Sequence, residues 1–414
     1  MQRRTFLKLA PAVTLPAAGL PVARAMDKKK RPKLSWSGIR DAFPLQRNRA
    51  YLNTGGLGPP SRRVLSAISN QELAQAIEGE HQRALADDMR ADVADFFGAQ
   101  PREMAFTRNT TEGNSIIAGG LDLRRGDEVI FESHAHPGGS FPWLNRQLRD
   151  GIQVKVFDPA PESPEANLDR IFEKVTPRTR VIQVSHITAP TGLRFDLKAI
   201  AAEARSRGIW FHVDGAQSAG QVPLDFSKIG CDSYAICTHK WLNGPQGLGA
   251  LYIHQDRIEE VACTHAGPYS SDNYRLPDFI EIHPDAVRHE YGTRNTASVV
   301  GLVEALRFQN QIGRERIAQH GSSMAERLRS QLEAMPGVMI LTPRRKDMCA
   351  AMLTFQIEGR QSGDLARFLA ENYSLRTRVV SEQDLNALRT SWHVYNSMAE
   401  VERVAEGVQQ FIST

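Results

Sequence analysis

Cysteine is scarce in this sequence, and its positions show no spacing typical of a metal site or a redox motif. The four cysteines are Cys231, Cys237, Cys263 and Cys349, and no two of them form a C-x-x-C pair. This pattern argues against a zinc site or a dithiol centre, and we expect no metal ligation. The four residues are interpreted as core thiols, or as at most one disulfide.

Other signatures are also missing. The sequence has no glycine-rich fingerprint of the dinucleotide or P-loop type. It has no basic stripe with interleaved aromatic residues, so we expect no nucleic-acid partner. Beyond the first 25 residues, no apolar run is long enough to span a bilayer, so we expect no stable membrane insertion. With 41% hydrophobic and 24% charged residues, the chain is typical of a soluble globular protein with room for two domains.

The first 25 residues resemble a twin-arginine (Tat) signal peptide. Arg3 and Arg4 precede a short apolar run that three prolines interrupt, and residues 23–25 read Ala-Arg-Ala, the spacing of a cleavage site. Together with Lys8 and Arg24, the arginine pair accounts for the whole formal net charge of +4. We therefore predict export to the periplasm by the Tat machinery and cleavage near Ala25, leaving a mature chain without net charge.

From about residue 60, short apolar runs alternate with amphipathic stretches, which favours a mostly parallel sheet covered by helices. The predicted strands are residues 104–107, 128–131, 154–157, 181–185, 210–213, 234–237 and 250–253. From residue 296 the pattern changes to two long helices, strands at 351–357 and 376–379, and a closing helix after 396. We predict an α/β fold with a large domain (60–295) and a smaller α+β domain (296–414). Residues 26–59 are predicted to form part of the smaller domain.

Asp214 and Lys240 each follow a buried strand, where open α/β sheets bind their ligands. Most such aspartates cap a helix, and most lysines lie at the surface. A pyridoxal phosphate (PLP) site, however, needs both residue types. The lysine forms the Schiff base, and a carboxylate beside the pyridine nitrogen keeps that nitrogen protonated.

The combined pattern of Val-Asp-Gly-Ala-Gln at 213–217 and Thr-His-Lys at 238–240 resembles class V aminotransferase-fold enzymes, the family of cysteine desulfurases and isopenicillin N epimerase. The resemblance covers residue 51 to the C-terminus. It implies a fold type I PLP enzyme with a large and a small domain. It also implies that Thr238 and His239 reach the cofactor phosphate and that Gln217 bonds the ring's phenolic oxygen.

Residues 106–112 follow the first strand and open a helix, whose free N–H groups and dipole favour a phosphate. A threonine that merely caps the helix is the common alternative. The match to the family's phosphate loop assigns Thr110 and Thr111 to the PLP phosphate. In residues 132–137, relatives stack an aromatic residue, often histidine, on the pyridine ring. His134 and His136 both compete for this role, and we favour His136, with a buried structural role for the other.

Residues 291–295 (Tyr-Gly-Thr-Arg-Asn) resemble the family loop that reaches the partner's phosphate, which implies a homodimer with Thr293 in the partner's site. A glycine-containing turn before a helix is the alternative. In the Arg-Thr-Ser that begins at Arg389, relatives bind the substrate α-carboxylate, a planar group that a guanidinium matches with two hydrogen bonds. Asn53 and Gly55 match the segment that lines the substrate pocket.

Two departures point away from the desulfurases. Their nucleophilic cysteine lies on a loop before the carboxylate-binding arginine, but here residues 376–384 contain none. Ala189 stands where they carry an asparagine near the ring. Both departures favour the isopenicillin N epimerase-like branch, and with the export signal they resemble a periplasmic enzyme that tailors the side chain of the siderophore pyoverdine.

The motifs leave the reaction open among transamination, epimerisation, elimination and decarboxylation. Two other classes stay open as well. One is a binding protein that has kept the fold without catalysis, and the other is a nucleotide-binding α/β protein that uses the Thr110–Thr111 loop.

Overall fold

The computed structural model describes residues 34–80 and 82–414, so the predicted signal peptide lies outside the described residues. Within them the strands are β1 (Ala50–Tyr51), β2 (Met104–Thr107), β3 (Glu128–Glu132), β4 (Gln153–Phe157), β5 (Thr179–Ser185), β6 (Trp210–Asp214), β7 (Ser233–Cys237), β8 (Gly249–Ile253), β9 (Asn273–Arg275), β10 (Phe279–Glu281), β11 (Val338–Ile340), β12 (Met352–Ile357), β13 (Leu375–Arg376), β14 (Arg378–Val380) and β15 (Ala387–Ser391). The helices are α1 (Trp36–Asp41), α2 (Arg62–Glu78), α3 (Arg83–Phe97), α4 (Thr110–Gly120), α5 (Pro137–Asp150), α6 (Pro164–Phe172), α7 (Leu197–Ser206), α8 (Phe226–Ile229), α9 (Thr296–Ile312), α10 (Arg314–Leu332), α11 (Ser362–Tyr373) and α12 (Met398–Ser413).

The seven predicted strands form one sheet, in the order β2-β8-β7-β6-β5-β3-β4. All neighbours pair in parallel except those of β8, which is antiparallel to β7 and β2. The residues of β3, β6, β7 and β8 are buried throughout. Such continuous apolar burial is typical of strands covered on both faces. The predicted α/β fold with a mostly parallel sheet is therefore confirmed.

A second, antiparallel sheet has the order β11-β12-β15-β14. It has its own hydrophobic cluster, to which α10, α11 and α12 contribute. Ala50 and Leu52 belong to the same cluster, and β1 pairs with β13. Helix α9 packs its apolar side chains into the cluster of the large sheet. The domain boundaries at residues 60 and 296 stay a prediction, since residues 34–414 form one compact unit.

The parallel strands place their carboxyl ends along one edge of the large sheet. Glu132, Ser185, Asp214 and Cys237 end β3, β5, β6 and β7, and Ser185 is the register partner of Asp214. Residues far apart in sequence therefore meet at this edge. In the described part of the chain, no helix is both long and apolar enough to cross a membrane.

Candidate active site

Asp214 lies buried at the end of β6, and neutral donors hold both of its carboxylate oxygens. Ala216 N donates to Oδ1 at 2.9 Å, and Asn114 Nδ2 donates to Oδ2 at 2.8 Å. Within residues 34–80 and 82–414, no cationic side chain forms an ion pair with this carboxylate. A buried carboxylate without a cation is costly. Its environment therefore favours a positively charged group beside it.

Behind Asp214 runs a chain of buried hydrogen bonds that the sequence analysis missed. Asn114 uses its amide N–H groups for Asp214 Oδ2 and Gly138 O, so its Oδ1 accepts from His212 Nε2 at 2.9 Å. His212 Nδ1 must then accept from the Ser233 hydroxyl at 2.8 Å. Burial lowers the pKa of His212 to about 3, so its ring is neutral. The chain fixes the orientation of the Asn114 amide, so that its N–H group donates to Asp214.

Lys240 is half-buried in the turn that follows β7, and the segment after β1 packs on its backbone. Gly58 N donates to His239 O at 2.7 Å. A Cβ at Gly58 would lie 1.7 Å from Lys240 O, so no larger residue fits without movement. The contact orients the lysine turn against the edge of the sheet.

His136 is the histidine that faces Asp214 and Lys240. It begins α5 as the N-cap, and its Nδ1 accepts from Gly138 N at 3.0 Å. Burial lowers its pKa, and the Lys240 charge lowers it further while Asp214 opposes the shift. His134 instead lies 3.3 Å from the Thr191 hydroxyl, and its pKa is lowered by burial and raised by Asp158. The placement supports His136 over His134 for the stacking role.

The start of α4 offers the hydrogen-bond donors that a phosphate needs. Asn109 caps the helix by accepting from Glu112 N at 2.9 Å, so the alternative of a capping threonine is wrong. The Thr110 hydroxyl is buried and has no hydrogen-bond partner of conventional geometry among the described residues. Thr111 lines a cavity of about 470 Å³. An unpartnered buried hydroxyl at a helix N-terminus fits a phosphate group.

The Thr238 hydroxyl does not add to these hydrogen-bond donors. Its hydroxyl is fully buried and donates to Pro245 O and to Leu248 O, the latter at 3.0 Å, because the chain turns back towards β8 at this point. The expected phosphate contact of Thr238 is therefore not supported. The preceding residue, Cys237, lies near Thr110 instead, and burial raises the pKa of its thiol.

His239 and Gln217 lie close to the lysine turn. Burial, reinforced by Lys240, lowers the pKa of His239 to about 4, so its ring is neutral. Gln217 Nε2 donates to Gly55 O at 2.8 Å, and its Oε1 accepts from Trp241 Nε1 at 2.8 Å. Gln217 therefore ties the large sheet to the predicted pocket segment around Gly55.

Arg389 is fully buried in β15 and meets the two predicted pocket residues. Its Nη1 donates to Ala189 O at 2.6 Å, and its Nη2 lies 3.5 Å from Asn53 Oδ1. A methyl group at Gly55 would come within 2.9 Å of Arg389 Nη2 and of Gln217 Oε1. Burial lowers the pKa of Arg389 to about 9, so the guanidinium stays charged at neutral pH. Its Nε has no partner in the described part of the chain. Such a cation favours an anionic ligand.

Thr293 is exposed on the loop before α9, beside Arg294, which lies 3.7 Å from Glu112 at the start of α4. An exposed residue at this position could serve a second copy of the chain, and the role of Thr293 in the partner's site stays a prediction. Across residues 34–80 and 82–414, no group of three or more His, Cys, Asp or Glu could hold a metal ion. All four cysteines are free thiols.

Comparison with known proteins places the chain among enzymes of similar length. A family model described as aminotransferase class-V matches residues 64–404. A probable cysteine desulfurase of Methanothermobacter thermautotrophicus is 30% identical over 397 residues, which cover 90% of this chain and 97% of that protein. An isopenicillin N epimerase of Amycolatopsis lactamdurans is 28% identical and covers 91% of this chain and 98% of its own.

A solved structure of similar fold is a mutant of C-DES in which glycine is covalently linked to the PLP cofactor. Its TM-score is 0.80 at 28% identity, over 89% of this chain and 99% of that one. A second solved structure of similar fold is the complex between the cystine C-S lyase C-DES and its reaction product, cysteine persulfide. The match covers nearly the whole length of both chains.

Proposed function

We propose that this chain, which belongs to the aminotransferase class-V family, is a PLP-dependent enzyme that acts on the amino group or the α-carbon of an amino acid or peptide-like metabolite. One observation carries the proposal. A lysine, a buried carboxylate and an exposed histidine meet at the carboxyl edge of the sheet, close to a buried arginine that has no carboxylate partner among the described residues.

The residues present fit the cofactor. The buried Thr110 hydroxyl at the start of α4 suits its phosphate, and Asp214, which forms no ion pair among the described residues, suits a protonated ring nitrogen. When bound, PLP supplies an electron sink for the negative charge that develops at the substrate α-carbon.

The side chains then have distinct roles. Lys240 Nζ would hold the cofactor, and as general base and acid it would take and return the proton at the substrate α-carbon. Asp214, oriented by Asn114, would favour a proton on the cofactor's ring nitrogen. His136 would pack against the cofactor ring, and Arg389 would bind the substrate α-carboxylate.

The finer function that we favour is the tailoring of a glutamyl residue of a pyoverdine-type siderophore in the periplasm. Residues 1–25, with their Tat-like pattern, support the export step, and the buried Arg389 supports a substrate with a free α-carboxylate. A glutamyl residue linked through its side chain has both its amine and its α-carboxylate free.

An amino-acid epimerase or a C–S lyase of the same fold is the second candidate, and the names of the relatives favour it. Cysteine desulfurase chemistry of the usual kind needs an accessible thiolate. Residues 376–384 offer none, and Cys237, the cysteine near Lys240, is buried with a raised pKa. A non-catalytic binding protein is the candidate from another class, but it would have no use for Lys240 beside Asp214.

The test is the Lys240→Ala variant of the purified protein. We expect wild-type protein to be yellow and borohydride to fix the cofactor on Lys240. The variant should fold, as near-UV circular dichroism can check, and lose turnover because the nucleophile and the proton carrier are removed together. Activity within a few-fold of wild type would refute the PLP assignment.

A further inference from the structure

Arg378 and Glu382 form an ion pair beside the substrate arginine. Arg378 in β14 is the register partner of Arg389 in β15, so both side chains leave the sheet on the same face, with Cβ atoms about 5 Å apart. Glu382 follows in the next turn and binds the Arg378 guanidinium. The side chains of the pair are 28% and 24% exposed, so the pair lies partly buried with access to solvent.

The electrostatic environment indicates which groups the pair faces. The pKa of Arg389 is lowered mainly by burial, and Arg378 lowers it further while Glu382 raises it. The pKa of His136 responds to the same two charges in the same directions, after the larger effects of burial, Lys240 and Asp214. The pair therefore lies on the face of β14 and β15 that carries Arg389, within electrostatic reach of both Arg389 and His136.

Stability does not explain this turn. Gln383 and Asp384 follow Glu382 with φ of 52° and 57°, the left-handed region, which is unfavourable for a residue with a side chain. A partly exposed ion pair adds little stability. The turn thus holds a donor and an acceptor side by side on a backbone conformation that is unfavourable for folding.

We propose that Arg378 and Glu382 recognise a neutral amide on the substrate side chain. The Arg378 guanidinium donates to the amide carbonyl, and the Glu382 carboxylate accepts from the amide N–H. This rests on the proposed function and names its substrate class: an amino acid whose side-chain carboxyl group is linked as an amide. A free side-chain carboxylate is repelled by Glu382, since like charges brought together weaken binding. An apolar side chain leaves both charged groups without a new partner.

The test is a titration of the holoenzyme, followed by the change in cofactor absorbance as an amine binds. The probes are N5-ethylglutamine, which carries a secondary amide, and glutamate, which carries a carboxylate. We expect wild type to bind the amide at least about tenfold more tightly, roughly 1.4 kcal/mol. Glu382→Gln should abolish most of that preference by strengthening glutamate binding, because Arg378 then faces an uncharged neighbour.

Asp364→Asn is the matched control. Asp364 pairs with Arg367 on α11, with both side chains largely exposed, so this variant also removes one carboxylate from an arginine pair. It should leave the preference unchanged. If Glu382→Gln keeps the wild-type preference, the amide-reading role is overturned and the proposed function stands. A holoenzyme whose absorbance responds to neither probe overturns the substrate class and the role of the pair together, while an uncoloured protein that borohydride cannot label overturns the proposed function itself.

Discussion

Glu128 and Glu132 stand at the two ends of β3 and ionise very differently. Burial raises the pKa of Glu128, but hydrogen bonds from Lys155 and two threonines outweigh it and hold the pKa at about 2. Glu132 is fully buried, accepts from Ser185 N at 2.9 Å with one oxygen, and leaves the other without a partner in the described structure. Burial, with a smaller contribution from Asp214, raises its pKa to about 7.

The wild-type protein should become less stable as the pH rises because Glu132 keeps its proton in the folded state. Glu132→Gln should not show this loss of stability. The unfolded chain releases this proton near pH 4.5, whereas the folded protein keeps it up to about pH 7. Between those values the unfolded state is therefore stabilised relative to the folded state, and the free energy of unfolding falls by about 3 kcal/mol once the pH exceeds 7. Urea unfolding between pH 5 and 8 should show the stability of Glu132→Gln rising relative to wild type.

Glu128→Gln is the control at the other end of the strand. Its folded pKa of about 2 and its ordinary value of 4.5 both lie below the tested range. The variant should be less stable than wild type by a constant amount from pH 5 to 8. If the free energy of unfolding of Glu132→Gln also differs from that of wild type by a constant amount from pH 5 to 8, Glu132 is ionised in the folded protein.

At the scale of elements, the site depends on the segment that leaves β1 and crosses to the large sheet. Asn53 bridges to Ser391 in β15, Gly55 packs against Arg389, and Gly58 packs against the backbone of Lys240. The segment therefore connects the small sheet, which carries the substrate arginine, to the turn that carries the lysine.

Gly58→Ala should displace that turn. The new methyl group would overlap Lys240 O at 1.7 Å, and overpacking in a close-packed region costs about 1–3 kcal/mol or more. We expect a lower melting temperature and at least about tenfold weaker PLP binding, measured by absorbance titration of the cofactor-free protein. Gly363→Ala on α11 is the control, since nothing lies within 4 Å of its Cβ position. PLP affinity that falls equally in both variants would contradict the role of the segment.

At the scale of the whole molecule, the predicted dimer can be tested by mixing two inactive variants. One carries Lys240→Ala and the other Thr293→Ala. If Thr293 serves the partner's site, a mixed dimer has one site with both defects and one with neither. Heterodimers should then recover about half of wild-type activity, if the two sites work independently. If Thr293 acts within its own chain, every site has one defect and mixing restores nothing.

Export is the second prediction at this scale. Substituting Arg3 and Arg4 together by lysine should keep the protein in the cytoplasm, uncleaved and loaded with cofactor, because the twin-arginine pair is what the Tat machinery recognises. Cell fractionation and the mass of the purified chain measure the outcome. Processed protein in the periplasm of the double variant would refute the Tat interpretation.

Local pattern alone determined much of this protein. Hydrophobic runs located all seven strands of the large sheet to within two residues at either end. In the central strands this is because burial on both faces demands continuous apolar sequence. Asp214 and Lys240 could be singled out because Asp214 ends such a strand and Lys240 lies in the turn that follows another. The predicted strand at 351–357, the two long helices from residue 296 and the closing helix were also confirmed, whereas the predicted strand at 376–379 is divided into β13 and β14, and β11 and β15 were not predicted.

Other features were decided only when the chain folded, because they depend on contacts between distant segments. In the turn after β7, the Thr238 hydroxyl hydrogen-bonds to two backbone carbonyl oxygens, and Cys237 lies beside Thr110. Asn114 became the partner of Asp214, 100 positions away, through the packing of α4 on the sheet. Arg378 came to lie beside Arg389 through the register of β14 and β15. A sequence states which groups can donate, accept or carry charge. The tertiary fold decides which of them face each other, because burial forces each polar group to find its partner among the side chains and backbone that packing brings within reach.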